Sequence, residues 1–215
     1  MRRSAENIFI QGPAGQLEGL LESQRDSAPV ANAVIYHPHP MHGGTMHNKV
    51  VHTLARAFVG REFSAMRFNF RGAGQSDGEY DDGRGELLDA LAAIQWMRAR
   101  GPELPLWLAG FSFGAAIAVR ASLETHPNGL ISVAPAVSRL AVEPGSQPDC
   151  PWLIIQGDQD ELVDIDDTVD WINRLEPGPE LTVFPDTTHF FHGKLILLRQ
   201  AVEDFVEANS YKTLA

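Results

Sequence analysis

The chain has 215 residues, 44% of them hydrophobic, which is enough to bury one large core. With 17 Lys and Arg against 28 Asp and Glu, its formal charge of −11 excludes nucleic acid and anionic membranes as partners, because both are bound by clustered basic side chains. No stretch approaches the roughly 18 consecutive apolar residues of a membrane span, and the N-terminus lacks the long apolar run of a secretory signal, so a cytoplasmic protein is expected.

Residues 7–11 and 16–23, separated by Gly12-Pro13-Ala14-Gly15, predict an antiparallel hairpin. A strand follows at 30–36. Residues 49–59 read as a helix, with Val50, Leu54 and Phe58 four apart, then 63–70 as a strand with partial alternation. Helix 86–100 carries Leu87, Leu91 and Ile94 on one face, and 104–109 is a short apolar strand followed by a small-residue helix at 115–123. Strands at 130–133, 152–156 and 181–184 come next, with a helix at 166–175 between the last two and a final helix through Leu198, Val202 and Phe205. Strands alternating with helices imply right-handed crossovers and a mostly parallel sheet covered on both faces, here as one domain over 1–215.

Gly110-Phe111-Ser112-Phe113-Gly114 lies where the 104–109 strand gives way to the helix. A bare G-x-S-x-G recurs by chance in loops, but a strand before it and Ala115, Ala116 and Ala118 after it match a nucleophile elbow, the sharp turn that lifts a serine hydroxyl above a sheet. Such a serine needs a base held by an acid, and both follow in the order Ser, Asp, His. The 152–156 strand ends in Gly157-Asp158-Gln159-Asp160, and the 181–184 strand leads into Pro185-Asp186-Thr187-Thr188-His189. Carboxyl ends of parallel strands share one edge, so Ser112, an aspartate and His189 can converge there.

His37, His39, His42 and His47 superficially suggest a metal site, but the motif contains no Asp or Glu, so metal is the minority reading. His37 is expected to bond backbone groups. Arg71-Gly72-Ala73-Gly74 lacks the third glycine of a dinucleotide fingerprint, since position 77 is Asp77, and reads as a structural turn. Asp81, Asp82, Asp164, Asp166 and Asp167 read as solvated loops and helix starts. Cys150, the single cysteine, reads as structural.

The elbow, His37-Pro38-His39-Pro40 with Gly43-Gly44-Thr45-Met46-His47-Asn48, the turn from Phe68 to Ser76, and the two loops bearing Asp160 and His189 together resemble the α/β-hydrolase superfamily. The likeness is to its compact, lidless serine hydrolases, related to dienelactone hydrolases and small carboxylesterases, and it covers nearly the whole chain. It implies an α/β-hydrolase fold: a mostly parallel sheet with helices on both faces, an N-terminal antiparallel hairpin and no cap domain. It further implies Ser112 as nucleophile, His189 rather than His192 as base, and Asp160 rather than Asp158 as acid, by the superfamily's Gly-x-x-Asp spacing. Backbone N–H groups of Phe113 and His39 would form the oxyanion hole, with Met41 as the second choice because Pro38 and Pro40 have no N–H. No cofactor and no metal are implied, and the partner is a small acyl substrate, an ester or thioester. Two positions depart from common relatives: the nucleophile is serine where dienelactone hydrolase proper has cysteine, and Asn69 stands where many members have Asp, a difference expected to be structural. A peptidase of the same fold, a metal-dependent hydrolase using the His37–His47 cluster, and a non-catalytic binding module are the alternatives.

Overall fold

The computed structural model of the chain describes residues 3–139 and 147–210, without the side chain of Arg139. The expectation of no cap domain falls partly on residues 140–146, and the reading of the N-terminus partly on Met1 and Arg2; these lie outside the described residues. Among the described residues eight strands form one sheet: β1 (Arg3–Gly12), β2 (Gly15–Gln24), β3 (Ala31–Tyr36), β4 (Phe63–Phe68), β5 (Leu106–Phe111), β6 (Gly129–Val133), β7 (Trp152–Gly157) and β8 (Glu180–Phe184). Their order across the sheet is β1-β2-β4-β3-β5-β6-β7-β8. The β1–β2 hairpin joins β4 antiparallel, and every other pairing is parallel.

Among the described residues five α-helices connect and cover the strands: α1 (Lys49–Gly60), α2 (Arg84–Arg100), α3 (Phe113–Thr125), α4 (Ile165–Ile172) and α5 (Leu195–Ser210). Two apolar layers result. On one face α1 and α5 bury Leu54, Phe58, Leu198 and Val202 against Ile35, Trp107, Ile131 and Ile155; on the other α2 and α3 bury Ile94, Met97 and Ile117 against Val34, Met66 and Leu108. Burial on both faces explains why β3, β5, β6 and β7 read as continuous apolar runs. It also corrects the alternation expected of the fourth strand: all six residues of β4 are buried, and the strand ends at Phe68.

Element types match the sequence expectations, while several ends move. The hairpin is longer, closing at Gly12 opposite Gly15 across Pro13-Ala14. β5 runs two residues into the G-x-S-x-G motif, and α3 begins at Phe113 rather than Ala115. α4 is shorter than 166–175, ending at Ile172, and 3₁₀ turns at Pro40–His42 and Val137–Arg139 have no counterpart in the periodicity. Among the described residues, no helix is long and apolar enough to cross a membrane.

Buried ion pairs fix the loops that follow β3 and β4. Arg67 on β4 forms two hydrogen bonds to Glu22 of β2, at 2.9 and 2.8 Å, and donates to the Met46 carbonyl in the loop after β3. Asn69 accepts from the Met46 N–H at 2.8 Å and donates to Glu18 at 2.7 Å, which gives it the structural role expected. Arg71 donates to Asp89 of α2 through its backbone N–H, Nε and Nη2, at 3.0, 2.9 and 2.7 Å. Its guanidinium pKa is raised, chiefly by those side-chain bonds. Removing one partner of such a pair strands the other charge out of water. Asp89→Ala should therefore lower stability by about 3–5 kcal/mol in urea unfolding, whereas Asp204→Ala, which removes an exposed partner of Arg61, should leave the midpoint nearly unchanged.

Candidate active site

The sheet order reverses between β3 and β5, the neighbours from which the chain winds outward in both directions, and a crevice opens there at the carboxyl ends of the strands. Ser112 sits at this point. It holds φ 56° and ψ −118°, a strained conformation for a residue with a Cβ, and its backbone N–H donates to the Val133 carbonyl at 2.9 Å. The turn closes only because its flanks are glycine: a Cβ on Gly110 would overlap the Gly114 carbonyl, and a Cβ on Gly114 would overlap the Tyr36 and His37 carbonyls at the end of β3. Phe113 opens α3, so its N–H belongs to the first helical turn, whose donors have no intrahelical acceptor.

From this turn Ser112 Oγ lies 3.1 Å from His189 Nε2, and His189 Nδ1 lies 2.8 Å from Asp160 Oδ2 and 3.0 Å from Oδ1. An ionised carboxylate can only accept, so Nδ1 carries the proton and donates to Asp160, leaving Nε2 to accept from the serine hydroxyl. The imidazole is 2% exposed and lies between the rings of Phe111 and Phe190, with centroids 4.9 and 5.2 Å away. Glu161 accepts from the His189 backbone N–H at 3.2 Å.

Asp160 is held by more than the histidine. The N–H groups of Leu162 and Val163 both donate to Oδ1 at 2.9 Å, and Gln156 Nε2 donates to Oδ2 at 3.0 Å. Burial alone would raise its pKa; the hydrogen bonds from His189, Val163 and Leu162 outweigh that and hold it below the ordinary 3.8. Asp158 points elsewhere, accepting from the Thr187 N–H at 3.3 Å. His192 is exposed.

The four histidines after β3 separate. His37 is fully buried; its Nε2 accepts from the Phe70 N–H at 3.0 Å, so Nδ1 carries the proton and donates to the Pro38 carbonyl at 2.6 Å. Burial pushes its pKa down to about 4, and the ring stays neutral. His39 and His42 face the crevice with ring centroids 4.7 Å apart, and the Met41 N–H donates to His39 Nδ1 at 3.3 Å. That bond occupies the alternative oxyanion donor. Among the described residues no three His, Cys, Asp or Glu side chains group in a way that could hold a metal ion.

The crevice is a cavity of about 430 Å³. Pro38, His39, His42, Gly44, Val137, Leu162, Val163 and Phe190 line it together with Ser112, the buried His189 and the exposed Asp164 and Asp167. Several residues around it were not anticipated from the sequence. Gln156 could have been, as the lone polar residue closing the run Trp152-Leu153-Ile154-Ile155. Glu161, Tyr80 and Asp82 lie in loops whose composition carries no such signal.

Residues 39–147 match the family model described as Serine aminopeptidase, S33. A serine hydrolase without lid from Xanthomonas campestris superposes with a TM-score of 0.88 at 42% identity, the match covering 95% of this chain and 94% of that one. An uncharacterised protein of Rickettsia prowazekii is 34% identical over 210 residues, 93% of this chain and 87% of its own length. Human monoglyceride lipase is 32% identical over 101 residues, 45% of this chain and 33% of the lipase. The elbow at the switch point, the sheet order and these likenesses agree: the chain belongs to the serine aminopeptidase S33 family and is a hydrolase of the compact α/β-hydrolase superfamily.

Proposed function

We propose that the chain hydrolyses small carboxylic esters or thioesters, with Ser112 as nucleophile, His189 as general base and Asp160 as the acid that orients it. The observation that carries this reading is the unbroken line of hydrogen bonds Ser112 Oγ to His189 to Asp160 at the base of an open cavity. In the reaction Ser112 Oγ attacks the acyl carbonyl as its proton passes to His189 Nε2, and the N–H groups of Phe113 and His39 bind the developing oxyanion. Collapse expels the alcohol or thiol, which takes the proton from His189. Water then gives a proton to the same nitrogen while attacking the acyl-serine carbonyl, and Ser112 is released with its proton restored. Asp160 stays ionised throughout, stabilising the imidazolium.

The ester reading draws support from the lipase similarity. Amide hydrolysis is a second reading, favoured by the family's aminopeptidase description and by the exposed Asp164 and Asp167 in the cavity lining, where carboxylates suit a substrate's free ammonium. Initial rates on p-nitrophenyl butyrate, butyryl thioesters and amino-acid p-nitroanilides decide between them. The expected outcome is ester and thioester turnover that Ser112→Ala abolishes and EDTA leaves intact, with fluorophosphonate labelling confined to Ser112. Faster turnover of the p-nitroanilides would select the amide reading.

Short acyl groups should be preferred. The described apolar wall is small, formed by Phe113, Val137, Leu162, Val163 and Phe190, and each methylene left in water forfeits about 0.8 kcal/mol. A higher kcat/KM for C12 than for C4 esters would contradict this.

Asp160→Asn should lower kcat by roughly 10⁴-fold with the fold retained, because the amide favours the wrong histidine tautomer; Asp158→Asn should cost far less. The carboxylate also leaves a trace in stability. Its folded pKa lies below the unfolded value, so its contribution is complete above the unfolded pKa and is lost as pH falls through the folded one. The stability advantage of the wild type over Asp160→Asn should therefore shrink below about pH 4 in urea titrations.

A further inference from the structure

We propose that Tyr80 and Asp82, from the loop between β4 and α2, are positioning residues that set the oxyanion hole through the side chain of His39. The proposal rests on the reading of the His39 and Phe113 N–H groups as the oxyanion donors.

The hydrogen bonds run in one direction. Because the Met41 N–H donates to His39 Nδ1 at 3.3 Å, that nitrogen carries no proton, and the neutral ring holds its proton on Nε2. Nε2 lies 3.0 Å from the Tyr80 hydroxyl and donates to it, since the phenolic proton is directed to Asp82 Oδ1 at 3.1 Å. The chain ends on a carboxylate, which can only accept. Its direction is therefore fixed, and with it the tautomer and tilt of the imidazole.

Packing carries this to the second donor. The His39 ring centroid is 5.0 Å from that of Phe113 and 4.8 Å from that of Tyr80, and Tyr80 is 6.1 Å from Phe113. The side chains of the two residues that offer N–H groups to the oxyanion thus lie against each other, with Tyr80 touching both. The platform beneath Tyr80 is rigid: Glu86, fully buried, accepts from the N–H groups of Asp81 at 2.9 Å and Gly83 at 2.7 Å, and Arg71 is tied to Asp89. His39 caps the 3₁₀ turn Pro40–His42, and its carbonyl accepts from the His42 and Gly44 N–H groups at 3.1 Å, so the tilt of its ring and the position of its backbone are set together. A displacement of about 1 Å at such a donor can cost as much as 10²-fold in rate. Tyr80 and Asp82 hold the ring from a separate loop and so hold the N–H.

The test measures kcat and KM for p-nitrophenyl butyrate and Ki for a trifluoromethyl ketone, which forms a tetrahedral adduct with the serine, in wild type, Ser112→Ala, Tyr80→Phe and Asp82→Asn. Tyr80→Phe keeps the ring and removes the hydroxyl. It should lower kcat about tenfold and raise Ki about tenfold with KM unchanged, because an oxyanion contact matters only once the charge develops. Asp82→Asn tolerates the φ of 49° at this position but can donate as well as accept, so the direction is no longer fixed; it should lower kcat and raise Ki in the same sense as Tyr80→Phe but less, by about threefold, and an unchanged kcat and Ki would remove Asp82 from the proposal. Ki and KM do not depend on the fraction of molecules folded, so the comparison survives a loss of stability in Tyr80→Phe. Unchanged kcat and Ki in Tyr80→Phe, with or without a lower melting temperature, would overturn the proposal while Ser112→Ala, still inactive, upheld the serine mechanism. Turnover surviving in Ser112→Ala would remove both.

Discussion

The approach of helix α3 to the end of strand β3 is the constraint on which the rest of the molecule depends. At Gly114 the helix backbone lies directly on the Tyr36 and His37 carbonyls, at a distance that admits no side chain. This contact is what brings the elbow of β5 alongside the loop leaving β3, so that a serine hydroxyl, the opening residue of a helix and a neighbouring loop line one cavity. Everything downstream presupposes it. Were α3 lifted by the thickness of a methyl group, Ser112 would move with it, and His189 and Asp160, fixed by β7, β8 and their own loops, would not follow.

Around that contact the molecule uses charge to brace the hairpin and the loops that leave β3 and β4. Glu22, Arg67, Glu18 and Asn69 link the hairpin and β4 to Met46, and Arg71 and Asp89 link the next loop to α2. Each of these side chains spans two segments that are far apart in sequence. The histidine rings, in contrast, are held by directional networks. His189 takes its orientation from Asp160, whose carboxylate is fixed in turn by Gln156 and two backbone N–H groups; His37 is fixed by Pro38 and Phe70. A ring with both nitrogens committed cannot turn, and the lone pair of His189 has only the serine to face.

Much of this could be read from the chain because the relevant signals are local. The parallel core strands are unbroken apolar runs, since both faces are covered, and the elbow announces itself by glycine, serine and glycine at a strand-to-helix junction. That Asp160 and His189 would meet Ser112 follows from topology, as all three leave the same edge of the sheet. Element ends were harder. The strand before the serine extends through Gly110 and Phe111 because the ladder to β6 continues there, with Phe111 opposite Val133, and glycine in a sequence argues against that extension. Tyr80 was not legible at all, Asp82 read only as a residue of a solvated loop, and Glu161 carried no signal. Their partners are 41, 2 and 28 residues away, and it is the path of a loop, which periodicity does not describe, that brings the distant ones together.

The backbone of Ser112 carries a further consequence. A residue with a side chain held at φ 56° and ψ −118° costs on the order of 1–3 kcal/mol, and glycine at the same place would cost almost none. The fold would thus be sturdier without its hydroxyl, and one codon's change separates the two. A scaffold that served only to bind or to brace would gain by making that change and lose nothing. In this chain the strain persists at a residue whose hydroxyl meets His189 and lines the cavity, so the molecule forgoes part of its own durability to keep that atom in reach.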